Sequence, residues 1–368
     1  TIPSGIVLKG KLCLMTNGVV IDPDILEKEL SLLKGKGIPV KNRLFVSEQA
    51  HVILPYHKYL DELMERGKIR IGTTKRGIGP AYADKVVRIG IRVVDLMERD
   101  VFEDILERNL KEKEPFLRKV GSVKKIKQDI LKKYPRWVKM LRPMMRDTSL
   151  ILNEVIRKNK KVLFESAQGT LLDLDFGTYP HVTSSNPVSG GACTGAGVGP
   201  TKIDSVLGVI KAYTTRVGEG PFPTELKTDL GDFLREKGLE YGATTSRPRR
   251  CGWFDAVLVR HSVRVNGVDS LVLTKLDCLE GIDPLKICVA YRYKGKLIKE
   301  FPSSRKVIKN AKPVYVGVSG FSQSVRDAKK FSELPVNARK YVRAIERHTG
   351  AKISFVSLGR TREEMIVR

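Results

Sequence analysis

Short apolar runs alternate along this chain with longer stretches whose apolar positions recur at helical spacing. The run Ile6–Leu14 predicts a strand, and Asn17-Gly18 after it a turn. Asp22-Pro23-Asp24 opens a helical pattern that continues through Leu33 and stops near Gly35 and Gly37. Leu44–Val46 reads as a strand and Leu54–Gly67 as an amphipathic helix, followed by the loop Gly72–Pro80. Residues 94–160 are strongly helical, with breaks expected at Pro115, Pro135 and Pro143. Lys161–Phe164 and Val206–Tyr213 have the composition of buried strands. Trp253–Val265 predicts a helix with Phe254, Val257, Leu258, His261 and Val265 on one stripe, which makes His261 a packed histidine rather than a ligand. Leu271–Leu273 predicts a strand, Ile287–Tyr293 with Leu297–Phe301 a hairpin, Val336–Thr349 a helix and Ile353–Val356 a last strand.

This alternation is that of an α/β protein, with a large central, mainly parallel sheet flanked by helices. The expected division is an α/β core at 1–45 and 145–213, a mostly helical subdomain at 46–144, and a C-terminal α/β part at 214–368.

Composition narrows the function more than the fold. At 41% hydrophobic and 29% charged residues, the chain has the balance of a soluble globular protein. No apolar run approaches the ~18 residues of a membrane span. The five cysteines are widely spaced and form no CxxC pair, which indicates neither zinc nor disulfides and fits a reducing cytoplasm. The net charge of +26 suits nucleic acid, several anionic substrates, or the Lys-rich surface of a hyperthermophile. No RGG tract, zinc finger or RNP motif accompanies it, so nucleic acid is not the expected partner.

The residues that could carry chemistry lie in loops. Phe164–Pro200 combines Ser166, Gln168, Thr170 and Thr183–Asn186 with Gly190, Gly191, Gly195, Gly197 and Gly199. Glycine permits close backbone approach, so this tract suits an anionic or nucleotide ligand; a long flexible loop is the plain alternative. Thr73–Arg76, with Lys85, Arg88 and Arg92 downstream, joins hydroxyls to guanidinium forks as phosphate recognition requires, unless these are solvated surface charges. Thr244–Ser246 followed by Arg247, Arg249 and Arg250 suits a dicarboxylate or a phosphate. Thr274–Asp277 follows a strand. The Asp277 carboxylate can accept two N–H bonds at once, which matches the N1–H and 2-amino pair of guanine and nothing on adenine. Gly5–Lys11 matches the start of a P-loop, but Leu12 stands where Ser or Thr is required.

In this order the motifs resemble adenylosuccinate synthetase, the ligase of purine biosynthesis. They are IGTTKRGIGPAYADK (71–85), ESAQGTLLDLDFGTYPHVTSSN (165–186), TTRVGEGPFPTEL (214–226), GATTSRPRRCGW (242–253), LTKLD (273–277) and SLGRTREE (357–364). The resemblance implies IMP, L-aspartate and GTP as substrates, magnesium as the ion, a cytoplasmic location, a P-loop-NTPase-like fold and a homodimer. It assigns Thr74, Gln168, Thr183 and Arg247 to IMP, and has Arg88 reach the IMP phosphate in the neighbouring subunit. Val217, Thr244, Thr245 and Arg247 would take aspartate. Arg249, Lys275, Asp277, Ser357 and Gly359 would take GTP. Pro248 stands where the family often has another arginine.

The family's phosphate loop and its NAGH-like segment would lie upstream of Thr1, which reads as the middle of a longer chain. A missing N-terminal segment is therefore expected. No catalytic Asp or His and no metal ligand is assigned in this chain, which is expected to bind nucleotide weakly without turnover. The alternatives are a non-catalytic remnant that binds nucleotide or RNA, and a different GTP-dependent ligase.

Overall fold

A computed structural model describes residues 2–67, 71–242 and 246–368. Thr244 and Thr245 lie outside the described residues. The chain forms two compact units. The first runs up to Gly169 and takes in Thr183–Lys202; the second comprises Thr170–Val182 and Ile203–Arg368.

In the first unit, strands Cys13–Met15, Leu44–Ser47 and Met145–Arg146 form a parallel sheet with Leu44–Ser47 in the middle. Helix Pro23–Gly35 starts where Asp22 accepts the N–H groups of Asp24 and Ile25, with Pro at the first helical position where its missing donor costs nothing. The helical part consists chiefly of Arg99–Leu117 and Val123–Leu141. Phe102, Leu106, Ile130, Trp137 and Leu141 are buried and belong to the same core as the sheet. Pro115 and Pro135 lie inside these helices and do not break them, contrary to expectation. Both are exposed, so the carbonyl that each leaves without a partner can turn to water. The interruption falls instead at 118–122, where Ser122 caps the next helix.

Two predicted strands fail here. Ile6–Leu14 becomes a 3-10 turn, Ser4–Val7, with strand only from Cys13, because Gly10 takes φ +73° and breaks the extended run. Lys161–Phe164 joins no ladder among the described residues: Val162 and Phe164 pack near Leu152, Ala196 and Val198, while Leu163 is exposed.

In the second unit, Leu207–Lys211, Ser270–Thr274 and Ile353–Ser357 are parallel neighbours, with Ser270–Thr274 central and Met365–Val367 added antiparallel at the far edge. Leu207–Lys211 is therefore an edge strand rather than a buried one, and Val209 is 71% exposed. Leu285–Tyr293 pairs with Lys296–Ile298 as the expected hairpin and with Lys312–Val318 on its other side. Helix Val336–Thr349 packs Ala338, Tyr341, Val342 and Ile345 into the main core and stops at Gly350 in the left-handed region.

Helix Ala256–Asn266 starts later than its sequence pattern suggests, since Phe254-Asp255 is a short strand beside Leu285–Tyr293. His261 is packed, as expected: it is buried, with Nε2 at 2.8 Å from the Phe176 carbonyl and its ring near that of Phe301. Asp255 caps the helix by accepting the Val257 and Leu258 N–H groups and takes the Tyr291 hydroxyl at 2.7 Å. Burial pushes its carboxyl from the ordinary 3.8 up to about 6, against the lowering effect of the Tyr291 bond.

A raised folded-state value means that the folded chain holds this proton more tightly than the unfolded chain. The stabilisation is complete below the ordinary value and is lost as pH rises through about 6. Asp255→Asn has no such loss, so its stability relative to the parent is expected to rise by about 2 kcal/mol between pH 4 and pH 7. Urea midpoints of both proteins at the two pH values check this. A stability difference that does not move with pH contradicts it.

Candidate active site

In the first unit the loop after helix Pro55–Arg66 is pinned at both ends. Glu65 accepts the Ile71 and Gly72 N–H groups, each at 3.1 Å. Asp61, buried at 4% exposure, accepts the Thr73 hydroxyl at 2.8 Å and the Gly77 N–H at 2.9 Å. Gly77 has φ +76°, and a Cβ there would meet the His57 backbone, so only glycine fits. Thr74 is thereby held exposed at the loop's tip. Helix Ile78–Val87 follows, and its first turn lies against Ser184, 3.4 Å from where a Gly79 side chain would begin. The Tyr82 hydroxyl donates to the Gly18 carbonyl at 2.6 Å. Thr183 shares a 3.3 Å hydroxyl contact with Ser185. Gln168 is exposed with φ +64°, on a segment that Ser166 anchors by donating to the Pro187 carbonyl.

The same helix ends at Arg88, itself left-handed and exposed, with Val86 and Val87 exposed beside it. Arg88 lines a cavity of about 350 Å³ together with Lys85, Arg92 and Arg108, with His51 and Asp95 on its walls. Burial, then the charges of Lys85 and Arg92, press the His51 imidazole down to about 4, so the cations in this cavity are the lysine and arginines.

The glycine tract behaves differently from its sequence reading. Gly190–Ala196 forms a helix, and Gly18 and Gly195 pack backbone to backbone, with the Gly18 N–H donating to the Gly195 carbonyl at 2.7 Å. A Cβ at Gly191 or Gly197 would meet the Asn186 carbonyl or the Ser149 side chain. Gly18, Gly191, Gly195 and Gly197 thus allow close packing of the chain on itself.

In the second unit, Ser270–Thr274 and Ile353–Ser357 run side by side and release their loops at the same, carboxyl end. That end is where α/β sheets bind ligands. One loop carries Lys275 and Asp277, the other Ser357 and Gly359. Asp277 is 7% exposed and takes Nη2 of Arg326 at 2.9 Å. Ser357 is 8% exposed and donates to the Gly359 carbonyl at 3.0 Å, while the Glu364 carboxylate occupies the space that a Gly359 side chain would need. Lys275, at φ +63°, turns its ammonium to the Gly238 carbonyl at 2.8 Å.

Strand Thr214–Arg216 pairs antiparallel with Arg250–Gly252, which brings Val217 and the arginine loop onto neighbouring strands. The three arginines there divide their work. Arg250 forks onto Glu225 with two bonds of 2.7 Å and reaches the Gly220 carbonyl at 2.9 Å, so it fixes the loop. Arg249 donates to Glu240 at 2.7 Å. The Arg247 carbonyl accepts the Gly242 N–H at 2.8 Å, which closes the base of the loop. Arg216 is committed to the Glu219 carbonyl, the Thr178 hydroxyl and the His181 carbonyl, and burial lowers its affinity for a proton to about 10.

Sequence reading missed Asp61, Glu225 and Glu240, the acids that hold these loops. Each acts on residues brought near by folding. The only local signal was an acid standing shortly before an arginine cluster, as in Glu240.

Comparison with known proteins agrees with this geometry. The profile of the family described as adenylosuccinate synthetase matches residues 1–366. An adenylosuccinate synthetase of Endomicrobium trichonymphae is 62% identical over 366 residues, covering 99% of this chain and 85% of that protein. One from Caldanaerobacter subterraneus is 53% identical over 370 residues, with coverages of 100% and 86%. The structure of the fully ligated adenylosuccinate synthetase from Plasmodium falciparum superposes with a TM-score of 0.94 at 37% identity, over 100% of this chain and 87% of that one. The expectation of a missing N-terminal segment, and of metal ligands lost with it, draws no support from these matches. The expected lack of turnover rested on that segment and has no observation behind it.

Proposed function

This chain belongs to the adenylosuccinate synthetase family, and from that premise we propose how its loops divide the substrates. It is a ligase of purine biosynthesis that forms a C–N bond between IMP and L-aspartate and depends on GTP. Nothing favours the alternative of a non-catalytic, RNA-binding remnant.

In our reading Thr74, Gln168 and Thr183 hold IMP, and Arg247 serves both IMP and aspartate. Val217, with Thr244 and Thr245, completes the aspartate site. Arg249, Lys275, Asp277, Ser357 and Gly359 take GTP, with Asp277 reading the guanine. The observation that carries this division is the pair of adjacent parallel strands, Ser270–Thr274 and Ile353–Ser357, whose loops leave the sheet together. A buried carboxylate and a small-residue loop at one sheet end are what recognition of a guanine edge requires.

The chemistry follows from IMP itself, whose O6 is a poor leaving group. Transfer of the GTP γ-phosphoryl to O6 makes it a good one, and the aspartate amine then displaces it at C6. The new C–N bond forms as the C–O bond breaks, and phosphate departs with the oxygen. Such a path needs positioning and charge stabilisation more than covalent help, which hydroxyls and arginines provide. Magnesium accompanies GTP in the family and draws its ligands largely from phosphates and water, with one or two carboxylates. Among the described residues no three His, Cys, Asp or Glu side chains converge.

The exposed Val86 and Val87 beside the cationic cavity support a homodimer in which Arg88 reaches the partner's IMP phosphate. We place the enzyme in the cytoplasm; among the described residues no helix is long and apolar enough to cross a membrane. Arg88→Ala is expected to raise the KM for IMP about tenfold or more while the KM for GTP stays within about twofold, since a charge-assisted bond to phosphate contributes about 1.5–3 kcal/mol. Steady-state kinetics check it. An unchanged KM for IMP removes Arg88 from the site.

A further inference from the structure

Glu240 is 1% exposed, and two cations of the second unit, Lys211 and Arg249, meet at its carboxylate. It lies just beyond helix Asp229–Gly238, after Leu239 turns into the left-handed region. Lys211 donates to both of its oxygens at 2.7 Å, the Tyr213 hydroxyl to Oε1 at 2.7 Å, and Arg249 to Oε2 at 2.7 Å. The Glu240 carbonyl also accepts the Arg249 N–H at 2.8 Å, so side chain and backbone grip the same arginine. Lys275 reaches the Gly238 carbonyl two residues earlier.

The two cations are not equivalent. An ammonium has three donors, and Lys211 directs its bonds to both Glu240 oxygens and to the Thr215 hydroxyl at 2.7 Å. Lys211 is therefore a brace. A guanidinium has five donors in a rigid fork, and Glu240 engages it through Nη1. A buried carboxylate that fixes one edge of a fork fixes the direction of the other edge as well. Burial disfavours the charged form of Glu240, but the bonds from Lys211, Tyr213 and Arg249 outweigh it and hold the carboxyl below its ordinary range. The anchor is thus charged throughout the neutral range.

We propose that Glu240 is a positioning residue for the nucleotide step, orienting Arg249 toward the anionic phosphates of GTP while Lys211 balances its charge. This rests on the reading above that Arg249 serves GTP. Glu240 touches no substrate; its effect passes through Arg249 alone.

Steady-state kinetics of the full chain test this with Glu240→Gln, Glu240→Asp, Arg249→Met and the double variant Glu240→Gln with Arg249→Met. Glu240→Gln removes the charge: its amide nitrogen can face only the Tyr213 hydroxyl, which can accept, and its single oxygen must then serve Arg249 and Lys211 together, which weakens the hold on Arg249. The KM for GTP is expected to rise about tenfold or more, with those for IMP and aspartate within about twofold. Glu240→Asp keeps the charge that Lys211 needs but draws back from Arg249, and it is expected to raise the KM for GTP alone, by a smaller factor. In the Arg249→Met background Glu240→Gln should add less than about twofold. A purely structural role would move all three KM values together, or add fully in the double variant, and either result overturns the proposal. If Glu240→Gln does not fold, Glu240→Asp decides, and an unchanged KM for GTP overturns it. If Arg249→Met leaves the KM for GTP unchanged, the assignment of Arg249 itself fails. If it raises that KM and the Glu240 variants do not, only the present inference fails.

Discussion

Asp277→Asn is expected to lower kcat/KM for GTP about a hundredfold or more and to make xanthosine triphosphate the better phosphoryl donor. In the proposed pocket the carboxylate accepts the N1–H and the 2-amino group of guanine together. An amide can accept only one of them and presents its own N–H to the other, so one favourable contact becomes a donor facing a donor. Two charge-assisted bonds contribute about 1.5–3 kcal/mol each, and losing one of them while setting the other in conflict accounts for a factor of this size. Xanthine carries an oxygen where guanine carries the 2-amino group, and that oxygen accepts from the new amide. The fold should tolerate the change, because the ion pair that Asp277 makes with Arg326 has its arginine side 61% exposed and contributes about 1 kcal/mol or less. Kinetics with both triphosphates give the answer. A loss with GTP and no gain with the xanthine nucleotide would show that Asp277 supports the loop and does not read the base.

The second large effect is expected at Arg247. Arg247→Leu should raise the KM for aspartate about a hundredfold, because a dicarboxylate loses the planar fork that grips two oxygens at once. Arg247→Lys should recover only part of this, since an ammonium restores the charge and not the two parallel bonds. The KM for GTP should stay within about threefold in both. Arg250 predicts the opposite pattern. It is already committed to Glu225 and to the loop carbonyls, so its removal should lower stability before it changes any one substrate's KM. If Arg247 and Arg250 variants behave alike, the division of labour among the three arginines is wrong.

Much of the fold around the proposed site was legible in the sequence because its loops follow strong local signals. Helix Val336–Thr349 has an unbroken apolar stripe and ends at a glycine, so its limits could be read to the residue. Strand Ser270–Thr274 is apolar and stops at a polar turn, which places Asp277 at a sheet end from sequence alone. Where the reading failed, tertiary context outweighed local preference. Pro115 and Pro135 look like helix breakers, yet on exposed faces the solvent absorbs their cost. Lys161–Phe164 has a strand's composition, but composition does not supply a neighbour to pair with. Glu240 carried only the weak signal of an acid shortly before an arginine cluster, since half of its contacts are with Lys211 and Tyr213, 29 and 27 residues away. The glycine tract has a second use that its composition does not show. Glycine lets backbones approach each other as readily as it lets them approach a ligand, and at Gly18 and Gly195 the partner is the chain itself.

The most direct test of the account follows the oxygen at C6 of IMP. With a heavy-oxygen label at that position and with GTP and aspartate present, the account predicts that the label appears in the released phosphate, one atom for each adenylosuccinate formed. Label released as water, or turnover without GTP, would contradict phosphoryl activation of O6 and with it the division of substrates among these loops.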